Sequence, residues 1–341
     1  MLQRHPFLAN LAFLIFAVIL SIAVGSVFIP PETLARMLAE RVLGAGSGAD
    51  WPASFAAILF DVRIPHTALV LLTGAALGGS GAAYQGLFRN PLADPYLIGV
   101  ASGAGLGAVL ALTGRWPVTW GGYLSVPAAA FLGGLATVLL VYSLSRTGRT
   151  LPVTTLILAG VAISAFTSAV TSYLMLRSED ELRRAIAWLL GGSPAAGWPP
   201  VFAVAPYLLV GMAGLLSAGH ALNVLQFGEE QAGQLGLPVG RAKGLIIVAA
   251  SLTTAAAVAF SGIIGFIGLV VPHIVRLVWG EDYRRLIPLA MLGGSTALLL
   301  SDLAARVVLA PQTLPVGIVT ALAGAPFFLW LLRQARRRAY W

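Results

Sequence analysis

Few residues of this sequence could do chemistry, and the most suggestive of them lie in apolar surroundings. Asp302 and Arg306 are four residues apart, so on a helix they would share one face and could form an ion pair. His273 follows Pro272 near the end of another apolar run, where a histidine that packs or caps a helix is the ordinary interpretation. We therefore expect an ion pair within one helix and a histidine whose hydrogen bonds are satisfied.

The sequence lacks the motifs of catalysis and of nucleotide hydrolysis. It contains no His-Glu-x-x-His, no Gly-x-Ser-x-Gly and no cluster of carboxylates, so no catalytic group can be named. The phosphate loop Gly-x-x-x-x-Gly-Lys-Ser/Thr is also missing, because the only lysine, Lys243, follows an alanine. There is no cysteine for a disulfide or a thiolate metal site. We expect this chain to be no enzyme and to bind no metal and no cofactor.

The composition places the chain in a membrane. Of its 341 residues, 58% are hydrophobic and only 10% are charged, whereas a soluble domain has about 25% charged residues. This excludes a cytosolic enzyme, a disordered chain and a disulfide-stapled secreted domain. The formal charge of +8 fits the cationic loops of a membrane protein better than nucleic-acid binding. We predict an all-α polytopic protein surrounded by membrane lipid, with no nucleic-acid partner.

Ten apolar runs are long enough to cross the hydrocarbon core, which is about 30 Å thick. Their continuous apolarity indicates helices rather than the strands of a barrel. An even number of crossings puts both termini on one side, and more of the lysines and arginines fall on that side, which predicts cytoplasmic termini. The runs are residues 7–29, 66–83, 95–113, 122–145, 152–176, 201–219, 244–260, 262–278, 286–306 and 315–332.

Glycines recur four residues apart within two of these runs, at Gly74 and Gly78 and again at Gly99, Gly103 and Gly107. Small residues at this spacing let the backbones of two membrane helices approach closely. We interpret them first as packing positions within the subunit, with a dimer face or a pore lining as the alternatives. Because no linker interrupts the chain, we predict a single membrane domain over residues 1–341.

Four stretches between the runs are more polar than a membrane protein requires. Residues 31–43 and residues 179–190 predict short helices outside the membrane, on the side opposite the termini. Two prolines, at positions 91 and 95, predict a break in the chain around residues 84–95. The fourth stretch, residues 220–243, is the largest loop on the side of the termini.

Residues 220–243 predict short amphipathic helices. Leu225, Ala232 and Leu235 would form the apolar side, with an interruption at Gly228. Such an element lies on the membrane surface or docks a partner protein. The polar side carries Glu229 and Glu230 rather than lysine and arginine, so it should not bind anionic lipid. We therefore predict that this loop docks a partner, and that transport is driven by another subunit.

The sequence resembles the FecCD family over about residues 55–335. These proteins are the permease subunits of type II ATP-binding-cassette importers for ferric siderophores, haem and vitamin B12. The motifs that carry the resemblance are highly specific when taken together. They include Arg63-Ile64-Pro65, Gly81-Ala82-Ala83-Tyr84-Gln85, Asn90-Pro91-Leu92-Ala93-Asp94-Pro95, Leu97-Ile98-Gly99-Val100, Leu158-Ala159-Gly160, Trp188-Leu189-Leu190-Gly191-Gly192, Ala232-Gly233-Gln234-Leu235-Gly236, Gly265-Phe266-Ile267-Gly268, Val271-Pro272-His273 and Leu314-Pro315-Val316-Gly317.

The resemblance implies a fold and a set of partners. The fold is that of a type II importer permease, with about ten helices per subunit and both termini in the cytoplasm of a bacterial inner membrane. The partners are a second copy of the chain, with the pathway between the two, and an extracytoplasmic substrate-binding protein. Two ATP-binding-cassette ATPase subunits complete the assembly, and these partners use the ATP and magnesium.

The resemblance also implies roles for particular residues. Those that would couple to the ATPase are Glu229, Glu230, Gly236, Leu237 and Pro238. Those that would line a cytoplasmic gate are Asn90, Leu92, Val153 and Thr154. Those that would dock the binding protein are Arg63, His66 and Arg306. Many relatives have an arginine where this chain has His66, and histidine, unlike arginine, is a residue type whose charge depends on pH.

The leading hypothesis is therefore a permease for a bulky metal chelate, with a ferric siderophore or haem as the first expectation. Corrinoid import by the same mechanism is the alternative cargo. A secondary transporter driven by an ion gradient is the alternative mechanism, although the apolar runs lack mid-span carboxylates. An intramembrane hydrolase is the remaining alternative, and no nucleophile and base can be paired for it.

Overall fold

In a computed structural model of the chain, every regular element is helical within the part described here, and the predicted all-α class is confirmed. That part comprises residues 5–25, 27–43, 51–114, 124–146, 148, 151–177, 179–192 and 197–339. The predicted runs 7–29 and 122–145 include residues 26, 122 and 123, which lie outside it. The helices are α1 Pro6–Ala23, α2 Pro31–Leu43, α3 Ala53–Ala56, a π-helix Ala57–Arg63, α4 Ile64–Leu87, α5 Val100–Thr113, α6 Ser125–Ser145, α7 Val153–Leu176, α8 Glu179–Leu189, α9 Trp198–Ser217, α10 Gly219–Leu225, α11 Glu229–Gln234, α12 Val239–Ser261, α13 Ile267–Trp279, α14 Tyr283–Val307 and α15 Val316–Ala339.

Each of the ten predicted runs coincides with a helix. Seven of these helices are long and apolar enough to cross a membrane, namely α1, the continuous helix Ala53–Leu87, α6, α7, α9, α12 and α14. The other three apolar helices, Val100–Thr113, Ile267–Trp279 and Val316–Leu331, are shorter. The predicted short helices at residues 31–43 and 179–190 are confirmed as α2 and α8.

The short helices α5 and α13 follow breaks in the chain. At 14 residues α5 covers only about 20 Å, because the preceding residues 88–99 are not helical. Residues 262–266 precede α13 in the same way. The two breaks meet at Tyr96, whose hydroxyl donates to the Ile264 carbonyl at 2.8 Å and accepts from the Ile264 N–H at 3.2 Å. The Tyr96 side chain thus supplies hydrogen bonds to Ile264 backbone groups that would be paired with other backbone groups in a continuous helix.

Helix α4 is the centre of the bundle, and all of its residues from Thr73 to Leu87 are buried. It packs most extensively against α14, where glycine lets the two backbones touch. A Cβ atom added to Gly78 would lie 2.1 Å from the Ala290 carbonyl oxygen, and one added to Gly74 would lie 2.5 Å from that of Gly294. The predicted packing role of these glycines within the subunit is confirmed.

Helices α5 and α6 pack in the same way. A Cβ atom on Gly107 would lie 2.1 Å from the Ala129 carbonyl oxygen, and one on Gly103 would lie 2.5 Å from that of Gly133. Hydroxyl pairs join other helices, such as Tyr84 of α4 with Ser251 of α12 at 2.8 Å. Membrane helices usually associate through small residues and interhelical hydrogen bonds, because in lipid the hydrophobic effect does not favour contact between helices.

We expect Gly78→Ala to lower the free energy of unfolding by about 1–3 kcal/mol, because the added methyl group must push α14 away from α4. Thermal unfolding in detergent measures the effect. Gly244→Ala is the matched control, since its Cβ atom would meet only the Tyr142 hydroxyl, at 3.9 Å. Equal unfolding midpoints for the two variants would contradict this account of the α4–α14 contact.

Candidate functional site

Residues 220–243 form a compact surface at the end of the bundle where α12 and α14 begin. Leu225 of α10 and Ala232 of α11 are buried, as the amphipathic pattern predicts. The predicted interruption at Gly228 is confirmed, because Gly228 has a φ of +103° and precedes the first turn of α11. The exposed Glu229 and Glu230 lie in that first turn, where the helix dipole favours negative charge.

Helix α11 ends in a Schellman motif that fixes the orientation of the residues after it. The Leu237 N–H donates to the Ala232 carbonyl, and the Gly236 N–H donates to the Gly233 carbonyl, both at 3.0 Å. Gly236 has a φ of +86°, a left-handed conformation that glycine adopts without strain. Leu237 then turns inward and packs against the core, and Pro238 precedes the first residue of α12.

Leu235 does not belong to the buried side of this segment, so that part of the amphipathic prediction is wrong. Its side chain is 68% exposed, and that of Phe227, which the pattern did not single out, is 65% exposed. Together with Glu229, Glu230 and Gly236 they form what we call the coupling surface, after the role that the resemblance implies for those three residues. Exposed apolar side chains rimmed by carboxylates are typical of a protein contact.

The neighbouring helices hold this surface in place. Asn223 of α10 donates to Asp282 at 2.6 Å and accepts from the Tyr283 N–H at 2.8 Å, which fixes α10 to the start of α14. The hydrogen bond from Asn223 is also the main cause that lowers the pKa of Asp282 from its ordinary value. Gln226 donates to the Gly86 carbonyl at the end of α4, at 3.1 Å.

The four predicted gate residues lie on two separate segments. Asn90, which is exposed, follows the end of α4, and its side chain accepts a hydrogen bond from the Leu92 N–H at 2.9 Å. Val153 and Thr154 begin α7, where Val153 is half-buried and Thr154 is exposed. Lys243 links this second segment to the coupling surface, because its ammonium group donates to the Leu151 carbonyl and to Glu229.

His273 lies beside the first gate segment. It lies in a narrow crevice together with Leu92 and Phe327. Both nitrogens of its ring are buried and have no hydrogen-bond partner among the described residues. The expectation of a histidine with satisfied hydrogen bonds is therefore wrong. The sequence alone could not show this, since it depends on how α13, α15 and the break after α4 come together.

The three predicted docking residues are brought together at the opposite end of the bundle. His66 donates to one oxygen of Asp302 at 3.0 Å, and Arg306 donates to the other at 2.9 Å. The predicted Asp302–Arg306 pair is thus confirmed, and it has a third member from α4. Arg306 also donates to the hydroxyl of Ser21 near the end of α1, at 2.9 Å.

Arg63 points into the protein rather than into solvent. It is 6% exposed and donates to the carbonyls of Ile22 and Ala23 at 3.1 and 3.2 Å, and also to that of Val27. These carbonyls lie at and beyond the end of α1, where a helix leaves its last acceptors unpaired and favours a cation. In this structure Arg63 therefore caps α1.

Comparison with a protein-family model decides the family. Residues 13–334 match the model of the FecCD transport family. The chain belongs to that family. The resemblance in the motifs is thereby confirmed. The chain is a transport subunit of the ATP-binding-cassette permease type and a multi-pass membrane protein, and its family works with partner ATPase subunits.

Individual relatives match most of the chain. An uncharacterized permease protein of Bacillus subtilis, YvrB, is 42% identical over 97% of this chain and 94% of its own length. The cobalamin import system permease protein BtuC of Halobacterium salinarum is 42% identical over 93% and 88% of the two chains. The hemin transport system permease protein HmuU of Yersinia pestis is 42% identical over 83% and 85%.

A solved structure shares the FecCD fold described above. It is an inward-facing conformation of a putative metal-chelate type transporter of the ATP-binding-cassette class. The identity is 30% and the TM-score is 0.82, over 96% of this chain and 98% of that one. The predicted permease fold with about ten helices is confirmed by this match and by the ten apolar helices.

We expect Arg63→Met to lower the thermal unfolding midpoint, because it leaves the carbonyls at the end of α1 without their donor. A buried group left without its partner costs about 1–3 kcal/mol. The control is Arg36→Met, which removes an exposed arginine from α2 at the same end of the molecule and should leave the midpoint unchanged. Equal midpoints for the two variants would show that Arg63 does not cap α1.

Proposed function

We propose that this chain is the membrane subunit of an importer in which ATP hydrolysis by partner subunits drives uptake of a bulky metal chelate. The coupling surface is the observation that carries the proposal. It is exposed, it combines apolar and acidic side chains, and hydrogen bonds to α4 and α14 fix its position. The sequence contains no phosphate loop of its own, which fits ATP hydrolysis in a partner protein.

The proposed assembly is a homodimer with two ATPase subunits and an extracytoplasmic binding protein, in a bacterial inner membrane. The coupling surface would face the cytoplasm, where ATP is available. Both termini would lie on that side. For the N-terminus this is supported by the residues before and in the first turn of α1, which lie close to Arg285 at the start of α14. The ATP and magnesium would be bound by the ATPase subunits.

The residue roles follow from this orientation. Glu229, Glu230 and Gly236 would contact the ATPase, with Leu237 and Pro238 holding the loop from inside. Asn90 and Leu92, and Val153 and Thr154, would form two parts of a cytoplasmic gate. His66 and Arg306 would mark the docking position of the binding protein, where both meet at Asp302. Arg63 would support this position from inside, because it is buried and caps α1.

For the cargo we propose an iron chelate, a ferric siderophore or haem, with a corrinoid as the alternative. The relatives named for hemin and for cobalamin are both 42% identical to this chain, so identity does not separate the two. An ion-coupled secondary transporter is a much weaker candidate, because the only carboxylate buried in the described helices, Asp302, is paired with His66 and Arg306 at one end of the bundle.

The cargo can be tested on the complex purified with its own ATPase and binding protein. The binding protein is loaded in turn with a ferric siderophore, haem or cobalamin, and stimulation of ATP hydrolysis is measured in liposomes. We expect stimulation by an iron chelate. Stimulation by cobalamin alone would replace the iron chelate with a corrinoid. Failure of the chain to co-purify with any ATPase would contradict the proposed function itself.

We expect Gly236→Trp to uncouple ATP hydrolysis from uptake. A Cβ atom at Gly236 meets nothing within 4 Å, so the indole would project from the coupling surface and displace the partner. Gly236→Ala is the matched control, because it puts a Cβ atom on the same left-handed backbone, with a φ of +86°, without the bulk of the indole. Backbone strain is then equal in the two variants, and only Gly236→Trp should lose uptake.

Normal uptake per ATP in the Gly236→Trp variant would show that the segment after α11 does not contact the ATPase. Equal loss in both variants would show that strain at a left-handed glycine, rather than the surface it carries, is responsible. The measurement therefore needs uptake and ATP hydrolysis from the same preparation of each variant.

A further inference from the structure

Lys243 joins three elements at the end of the bundle that carries the coupling surface. It lies in the second turn of α12, is 3% exposed and is the only lysine in the sequence. Its ammonium group donates to Glu229 of α11 at 2.8 Å and to the carbonyl of Leu151, two residues before α7. One side chain thus connects the coupling surface to the segment that carries Val153 and Thr154.

The burial of this ammonium group gives the two contacts their importance. A charge removed from water is tolerated only when an opposite charge and further hydrogen bonds replace its hydration. Here Glu229 supplies the charge and Leu151 supplies a carbonyl. Because the ammonium group is buried and the Glu229 side chain is half-exposed, Glu229 is the member of the pair that a bound partner could reach.

The chemistry of lysine suits a moving contact. Its ammonium group is a point charge with three donors on a flexible stem, so it can follow two acceptors as they shift. A guanidinium group would impose a planar, fixed geometry on the same contacts. The other cations of this region, such as Arg241 and Arg285, are exposed, so Lys243 is the buried cation of this end within the described ranges.

We propose that Lys243 is a positioning residue that transmits displacement of α11 to the gate segment Leu151–Thr154. When the ATPase moves α11, Glu229 moves with it and draws the ammonium group, which in turn carries the Leu151 carbonyl and the start of α7. The proposal rests on the proposed function, because it assigns the path by which that function's energy reaches the gate. No covalent step is involved.

The test uses the full complex in liposomes, with ATP hydrolysis, uptake and a distance measured for each variant. Lys243→Met keeps the length of the stem and removes both hydrogen bonds. Glu229→Gln keeps an acceptor and removes the charge. Arg285→Met removes an exposed cation from the start of α14 at the same end of the molecule and serves as the matched control.

The distance is measured by pulsed electron spin resonance between the two copies of a label at Thr155→Cys. The chain has no cysteine of its own, so this label is unique in each copy, and Thr155 is exposed in the first turn of α7. In the otherwise unaltered protein the distance should change when ATP is added. This ATP-dependent distance change reports movement of the gate segment. Substitution of a residue with a merely structural role would leave the distance change intact.

We expect Lys243→Met to keep its ATP hydrolysis while uptake per ATP falls by about tenfold, within the range usual for coupling between two sites. The ATP-dependent distance change should disappear. Glu229→Gln should lie between Lys243→Met and the unaltered protein in both measurements, and Arg285→Met should match the unaltered protein. If the Lys243→Met variant does not assemble with the ATPase, the Glu229→Gln variant alone tests the proposal. The Glu229 side chain is half-exposed, so its substitution should not prevent folding.

Two results would overturn the proposal. One is an ATP-dependent distance change in Lys243→Met, or in Glu229→Gln, that equals that of the unaltered protein. The other is a loss of uptake in strict proportion to ATP hydrolysis, which would make Lys243 a structural residue of the loop. A lack of ATP-driven uptake in the unaltered complex is a different result, because it would contradict the proposed function.

Discussion

The close approach of α4 and α14 is the contact on which the rest of the structure depends. Their backbones touch at Gly74, Gly78 and Gly294, where a side chain would not fit. The two ends of this pair carry the two candidate surfaces. At one end Asn223 and Gln226 attach α10 to α14 and α4, and at the other His66 and Arg306 meet at Asp302. Both surfaces are therefore attached to the same pair of helices.

Much of this fold could be predicted from the sequence because the membrane imposes strong local rules. Each of the ten apolar runs coincides with a helix, and Asp302 and Arg306, which are four residues apart, form the predicted ion pair. What could not be predicted depended on distant contacts. Arg63 points toward α1, about forty positions earlier, and a six-residue helix such as α11 is too short for periodicity to decide whether Leu235 is buried.

The interior of the helix bundle contains few charged side chains, which bears on how transport can be driven. Inside the described helices the buried ionisable side chains are Arg63, Tyr84, Lys243, Tyr283 and Asp302, and the charged ones lie near the ends of the bundle. The middle of the bundle is joined instead by hydroxyls and backbone contacts, such as Tyr96 with Ile264. We propose that the energy for transport comes from a partner ATPase and enters at the coupling surface.

Uptake into liposomes without an ion gradient tests this claim most directly. The complex with its ATPase is reconstituted, ionophores abolish the proton and sodium gradients, and loaded binding protein is supplied outside the vesicles. We predict uptake of the chelate that depends on ATP and is unaffected by the ionophores. Uptake that stops when the gradients are abolished, or that proceeds in the absence of the ATPase, would contradict the account.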